Sequence, residues 1–296
     1  MRKIKIALSL IIVGLIIFVS VMALNNWNFK KLSNTEYITN TYEIAQDFEN
    51  ITINITTADI KILPSTDEKC KIEAYEETNY THKIEVINQT LTVTPPNKKI
   101  FHSIFNFETP KITIYLPTKE YQSLNIDITT SDLLIDSALI FKSLNINNTT
   151  GDIESYAIIK ENININSTTG DITIKNATCS GDILIDISTG EINLTDIKCK
   201  NLTAKGTTNI TTLNNVVANE KFDLERTTGD ITLNNCDANE IYINVTTGDV
   251  KGNILTGKTF DVHTTTGNKN IPATSGGICK IDTTTGDIII TVSQSE

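Results

Sequence analysis

The sequence predicts an all-β fold, a single-stranded parallel β-helix with rungs of about 19 residues that is expected to wind right-handed, behind one N-terminal transmembrane helix. Three observations predict it. A Thr-Thr-Gly-Asp phrase followed by Ile or Val returns at a nearly fixed interval. Apolar residues flank each copy at offsets of two, as strands require. The only long apolar run lies within the first 24 residues.

The phrase is complete at Thr149–Ile153, Thr168–Ile172, Thr227–Ile231, Thr246–Val250 and Thr284–Ile288. Degenerate copies stand at Thr56-Thr57-Ala58-Asp59, Thr129-Thr130-Ser131-Asp132, Ser188-Thr189-Gly190-Glu191, Thr207-Thr208-Asn209 and Thr265-Thr266-Gly267-Asn268. With the fourth residue as the mark, the marks from Asp132 onward fall at 132, 152, 171, 191, 209, 230, 249, 268 and 287. The steps are 20, 19, 20, 18, 21, 19, 19 and 19; the copy at 209 lacks the glycine, and its two unequal steps together make two normal periods.

Apolar columns keep this register. Ile126, Ile146, Ile165, Ile185, Leu224, Ile243, Val262 and Ile281 lie six residues before a mark, and Leu133, Ile153, Ile172, Ile192, Ile210, Ile231, Val250 and Ile288 lie one after. Each repeat therefore reads as strand, corner, strand, turn. One unit cannot bury its own apolar face, so the units must stack, and nine of them at about 4.8 Å give a stack roughly 45 Å long. At the corner, glycine permits φ > 0 and the aspartate is expected to bond a backbone N–H of its own turn. Cys179 and Cys199 would lie one above the other and read as small core fillers; five cysteines, an odd number, cannot all pair internally.

The chain divides into residues 1–24 (membrane anchor or signal segment), 25–40 (juxtamembrane linker), 41–120 (irregular first rungs or a capping hairpin) and 121–296 (regular repeats). Arg2, Lys3 and Lys5 precede an apolar run from Ile6 to Leu24, and no acid occurs before Glu36. Nineteen helical residues span roughly 28 Å, close to the hydrocarbon thickness of a bilayer, and the basic residues hold the N-terminus inside. The run exceeds a usual signal-peptide core, which favours retention as an anchor; either reading exports residues 25–296. Without the first 24 residues, 22 basic residues face 35 acidic ones, a net charge of −13. That balance does not suit nucleic acid or an anionic membrane surface.

The segment Ile100–Phe107 is the only aromatic cluster, with Phe101, Phe105 and Phe107 as candidate partner contacts and a loop folded onto the cap as the simpler reading. His82, His102 and His263 have no metal-ligand spacing, and no nucleophile elbow, P-loop or dinucleotide fingerprint occurs. Asp132, Asp152, Asp171, Glu191, Asp230, Asp249 and Asp287 line one edge of the expected stack. Solvated carboxylates serving their own turns account for them; a Ca²⁺ ladder is the alternative. The glycine-paired calcium phrase of roughly nine residues is absent. No cofactor is expected.

The strand ending in Leu116-Pro117, the following Leu124-Asn125-Ile126 and the serial Thr-Thr-Gly-Asp-Ile corners together resemble the bacterial toast-rack or "putative adhesin" family, a domain of unknown function, over about residues 40–292. The resemblance implies a β-helical cell-envelope protein, often behind one transmembrane helix and sometimes beside envelope-stress signalling systems. It carries no catalytic residues over. The expectation is thus a non-enzymatic, extracytoplasmic scaffold at the cell membrane that meets an envelope protein or wall polymer. An accessory or sensory role in envelope stress is the alternative, and a polysaccharide-acting β-helix enzyme the remote one.

Overall fold

A computed structural model describes residues 2–28, 36–95 and 108–293. Phe101, Phe105, Phe107 and His102 lie outside the described residues. The helix α1 (Arg2–Leu24) holds a 19-residue segment, Ile6–Leu24, long and apolar enough to cross a membrane, and suits a single-pass anchor or a signal sequence. Its aliphatic side chains are exposed on every side, as a lipid environment demands and water does not. Ser9 and Ser20 donate their hydroxyls back to the Ile6 and Ile16 carbonyls at 2.9 and 2.7 Å, which removes unsatisfied donors from the apolar run.

Seven strands follow before the regular stack: β1 (Tyr37–Ile44), β2 (Asn50–Thr57), β3 (Asp59–Pro64), β4 (Cys70–Glu77), β5 (Lys83–Ile87), β6 (Thr90–Thr94) and β7 (Lys111–Leu116). From Glu120 onward, parallel strands pair rung on rung with the predicted columns in register: Ile126 on Ile146, Ile146 on Ile165, Ile165 on Ile185, and Leu133 on Ile153 on Ile172. These side chains are at most 2 % exposed. Each buried aliphatic contributes roughly 1.5–3 kcal/mol, and alternation sends every second residue outward, so one pattern builds both the core and a polar exterior.

The corners set the height of each rung. Gly170 has φ +125°, and a Cβ built on it would meet the Gly151 carbonyl oxygen of the rung below at 2.1 Å. Backbone thus packs directly on backbone, and only glycine fits. The copy at 207–210 shows how far this rule bends. Thr208 pairs with Thr228, and Thr211 with both Ile192 and Ile231. The expected register is corrected accordingly: Asn209 takes the glycine place, with φ +85°, and Ile210 takes the aspartate place, 40 % exposed. Ile210 is therefore no core residue, and Thr211, 1 % exposed, stands in the column instead. Asparagine is among the few residues that tolerate φ > 0.

Chain order and spatial order part at both ends. The Asp59 corner lies directly below the Asp132 corner, since β2 pairs with Glu120–Thr130 and β3 with Leu133–Ile135. The intervening residues, together with β1, form a cap: β6 extends the stack below β2, β5 closes on β6 antiparallel, and β7, β4 and β1 follow β3 in that order. At the far end, Gly277–Thr285 inserts between Ile231–Thr247 and Lys258–Thr266, so the corners run Asp249, Asp287, Asn268. Sequential stacking, the simple expectation, is overturned here by burial. Lys269 stands in register with Ile288. Placing Ile288 inside and Lys269 at the solvent end gains roughly 2–3 kcal/mol from that position alone. Lys258 Nζ reaches Asp237, two rungs away, at 2.6 Å and pins the outer rung.

In the cap, Glu76 is 1 % exposed and joins β4 to β1. It accepts from Asn40 Nδ2 (2.7 Å), Tyr42 Oη (2.6 Å) and the His82 backbone N–H (2.6 Å), and lies 2.6 Å from His82 Nδ1. Burial alone would raise its carboxyl, but these bonds to the charged form outweigh it and pull it down to about 2. Burial and then Glu76 push the Tyr42 phenol up to about 12.

Two outcomes are expected. Gly170→Ala should lower unfolding free energy by about 2–4 kcal/mol in denaturant melts, because neither φ nor the backbone contact can relax. The Glu76 contribution is complete above the unfolded carboxyl value near 4.5 and is lost as pH falls toward 2, since the folded value is the depressed one. Roughly 3 kcal/mol should disappear across that window, and Glu76→Gln should flatten this arm of the stability profile.

Candidate functional site

Three outward columns run along the sheet that precedes the corners. One carries Thr129, Thr149, Thr168, Ser188, Thr207, Thr227 and Thr246. The next, two residues earlier, carries Asn54, Asp127, Asn147, Asn166, Asp186, Lys205, Glu225 and Asn244, paired rung to rung. The third carries Asn125, Asn145 and Asn164 and then Leu184. Amide ladders brace these columns: Asn145 Nδ2 donates to Asn125 Oδ1 (2.9 Å), Asn147 to Asp127 (2.7 Å) and Asn166 to Asn147 (3.2 Å).

Between the hydroxyl column and the amide column lies a groove. Its lower part is a cavity of about 440 Å³ bounded by Asn54, Asp127 and Asp186 at its extremes and by Asn147, Asn166, Thr149 and Thr168 at its centre. A second cavity of about 330 Å³ continues past Asp186, lined by Lys205, Glu225, Arg226 and Asn244. The two halves differ in charge. The lower half has amides, hydroxyls and two carboxylates, while in the upper half Lys205 pairs with Glu225 at 3.0 Å.

The groove floor is the inward column four residues before each corner. It reads Ile55, Ile128, Asn148, Ser167, Ile187, Gly206, Arg226 and Val245. Arg226 is 3 % exposed and fills the space above Gly206, where a Cβ would lie 1.7 Å from its guanidinium. It donates to Thr211 Oγ1 (2.7 Å) and to the Thr208 and Ile210 carbonyls (3.5 and 3.4 Å), while burial pulls its guanidinium down to about 10. It repairs the irregular Asn209-Ile210 corner. Asn148 and Ser167 have no such assignment: Asn148 Oδ1 and Ser167 Oγ are buried with no hydrogen-bond partner. The break in an isoleucine column is the signal in the sequence for all three; it lies four residues before each mark, outside the columns six before and one after.

The predicted acidic ladder exists, and its chemistry differs from the expectation. Each aspartate of the ladder serves the next rung rather than its own turn. The backbone N–H groups of Asp152, Asp171 and Glu191 donate to Asp132, Asp152 and Asp171 Oδ1 at 2.8–2.9 Å, and those of Asp249 and Asp287 to Asp230 and Asp249 at 2.8 Å. The carboxylate reaches past its own turn because the rung spacing brings the next N–H within one bond length of Oδ1. Among the described residues, no three His, Cys, Asp or Glu side chains group as a metal site. Cys179 and Cys199 are free, buried thiols pushed up to about 12 by burial. His82 is held in the cap by Glu76, and His263 is exposed on the outermost rung.

A third cavity of about 440 Å³ lies at the lower end, beside Phe48, Cys70 and Tyr121. Phe48 and Tyr121 stack at 5.8 Å, but Lys119 Nζ covers both rings (5.5 and 5.3 Å) and pairs with Asp47. The aromatic surface is therefore already occupied.

For the ladder, Asp171→Ala should cost about 1 kcal/mol and Asp171→Asn less, since an amide oxygen still accepts. Added Ca²⁺ should leave the melting temperature unchanged; a Ca²⁺-dependent rise abolished by Asp171→Asn would reverse the structural assignment.

The fold is similar to several crystal structures. A "putative adhesin" from Parabacteroides merdae is 18 % identical, with 86 % of this chain and 97 % of that one covered, at a TM-score of 0.49. A "putative adhesin" from Bacteroides fragilis is 19 % identical over 86 % and 97 % of the two chains, at 0.44. A "putative lipid binding protein" from Parabacteroides distasonis is 20 % identical over 74 % and 97 %, at 0.44. None of the curated proteins matches the chain. The Toastrack DUF4097 family model matches residues 48–215 and 180–296, which between them span every corner, the groove and all of the cap but β1, and the chain therefore belongs to the Toastrack family.

Proposed function

We propose that this chain is a non-enzymatic binding scaffold of the cell envelope, held at the membrane by α1 with residues 25–296 outside. The observation that carries the reading is the polar groove, repeated at every rung along a rigid stack whose chain begins in an apolar helix. A stack of this kind cannot close around a small substrate. It can offer polar side chains every ~4.8 Å to an extended partner, so that weak contacts add along its length. The corner acids stand singly, one per rung, and the aspartates among them are engaged by neighbouring backbone N–H groups, an arrangement that suits architecture rather than proton transfer. The adhesin-type names given to proteins of similar fold agree with surface exposure.

The test is photocrosslinking in intact cells. A photoreactive residue replacing Thr149, in the groove, should capture an envelope component. The same residue replacing Glu154, exposed on the other sheet, should not. Equal capture from both faces, or protection of the chain from protease added to intact cells, would overturn the reading.

A further inference from the structure

We infer that the lower groove takes a neutral, hydroxyl-rich oligosaccharide, seated over Asn148 and Ser167; this rests on the proposal that the groove is a binding face and names its ligand class. The floor carries the argument. Isoleucine fills this column at Ile55, Ile128 and Ile187, each at most 5 % exposed. On the two consecutive rungs between Ile128 and Ile187 it gives way to Asn148 and Ser167, 5 and 8 % exposed. Asn148 Nδ2 donates to the Gly151 carbonyl at 2.6 Å, which leaves its Oδ1 free, and Ser167 Oγ has no partner. A buried unpaired acceptor costs about 1–3 kcal/mol. Two of them in adjoining rungs, where isoleucine fits above and below, oppose stability. Both residues line the same cavity.

The surrounding groups select the ligand. No lysine or arginine lines this cavity, and its two carboxylates, Asp127 and Asp186, disfavour a polyanion. Those carboxylates lie three rungs apart, roughly 14 Å, too far to share a cation. Amides and hydroxyls remain, groups that both donate and accept, and sugar hydroxyls answer both. A peptide strand finds no unpaired backbone here, because the sheet at these rungs is hydrogen-bonded on both edges. Asn147, Asn166, Thr149 and Thr168 repeat at the rung spacing, so a linear glycan along the stack meets equivalent partners on successive rungs.

The experiment uses the full-length chain in a zwitterionic detergent. The probes are fluorescent hexasaccharides of N-acetylglucosamine and of glucose, polygalacturonate as the polyanion, and a neutral hexapeptide. At least one neutral hexasaccharide should bind, and Ser167→Val and Asn148→Ile should each weaken it at least tenfold while the melting temperature holds or rises. The stability readout separates a lost ligand contact from a damaged fold. Glu154→Gln should leave binding unchanged. If polygalacturonate or the peptide binds instead, and the floor variants abolish it, the neutral-oligosaccharide assignment fails and the groove reading stands. If sugar binding survives both floor variants, the site is wrong. If no probe binds, the inference is overturned and the two orphan acceptors are served by buried water.

Discussion

The whole structure depends on one contact, the approach of each corner glycine to the carbonyl oxygen of the residue in the same place one rung away, a glycine at most corners and Ser131 or Asn209 at two. That contact leaves no room for a Cβ. It therefore fixes the height of every rung at its sharpest bend, where an error of register would be most costly. With the corners level, alternation within strands does the rest: isoleucines fall on isoleucines, and outward residues fall into columns. The carboxylate after the glycine adds a directional bond from the next rung's N–H, so the corner is tied as well as packed.

A structure this regular makes its exceptions informative, because each has an obvious regular alternative. The Asn209-Ile210 corner loses both the glycine and the carboxylate, and the molecule answers with Arg226, whose guanidinium enters the space that Gly206 leaves and adds a second bond to the Thr208 and Ile210 carbonyls, which already accept from the Gly190 and Ile192 N–H groups. That exception is compensated and reads as architecture. Asn148 and Ser167 are not compensated. The contrast between a polar residue that finds partners and two that find none is what separates repair from recognition on this face.

The two ends solve the open-edge problem differently. At the cap end, antiparallel strands close the stack, and the Glu76 network ties β1, the strand nearest the apolar helix in the chain, to β4. At the far end the order of two rungs is exchanged, so that the more polar one faces solvent, with Lys269 in place of an isoleucine and Lys258 drawn inward to Asp237. Inward charge and polar terminal rungs are the usual defences of an exposed edge.

The sequence by itself determined the architecture, because a repeat of about 19 residues with period-two apolar positions has one economical way to bury them, and it determined the apolar helix by length and composition. It also placed the acidic ladder, though not its bonds. The register of the 207–210 copy stayed hidden because Asn209 and Ile210 imitate a shortened repeat, and only pairing with Thr228 and Ile231 reveals that no residue is missing. The order of the last two rungs was undecidable from equal spacings; it rests on which segment buries more apolar surface once both compete for the inner slot. The groove likewise belongs to the tertiary structure. Asn148 and Ser167 are ordinary residues in a Thr- and Asn-rich chain until stacking seals them beneath a cavity and leaves their oxygens without partners.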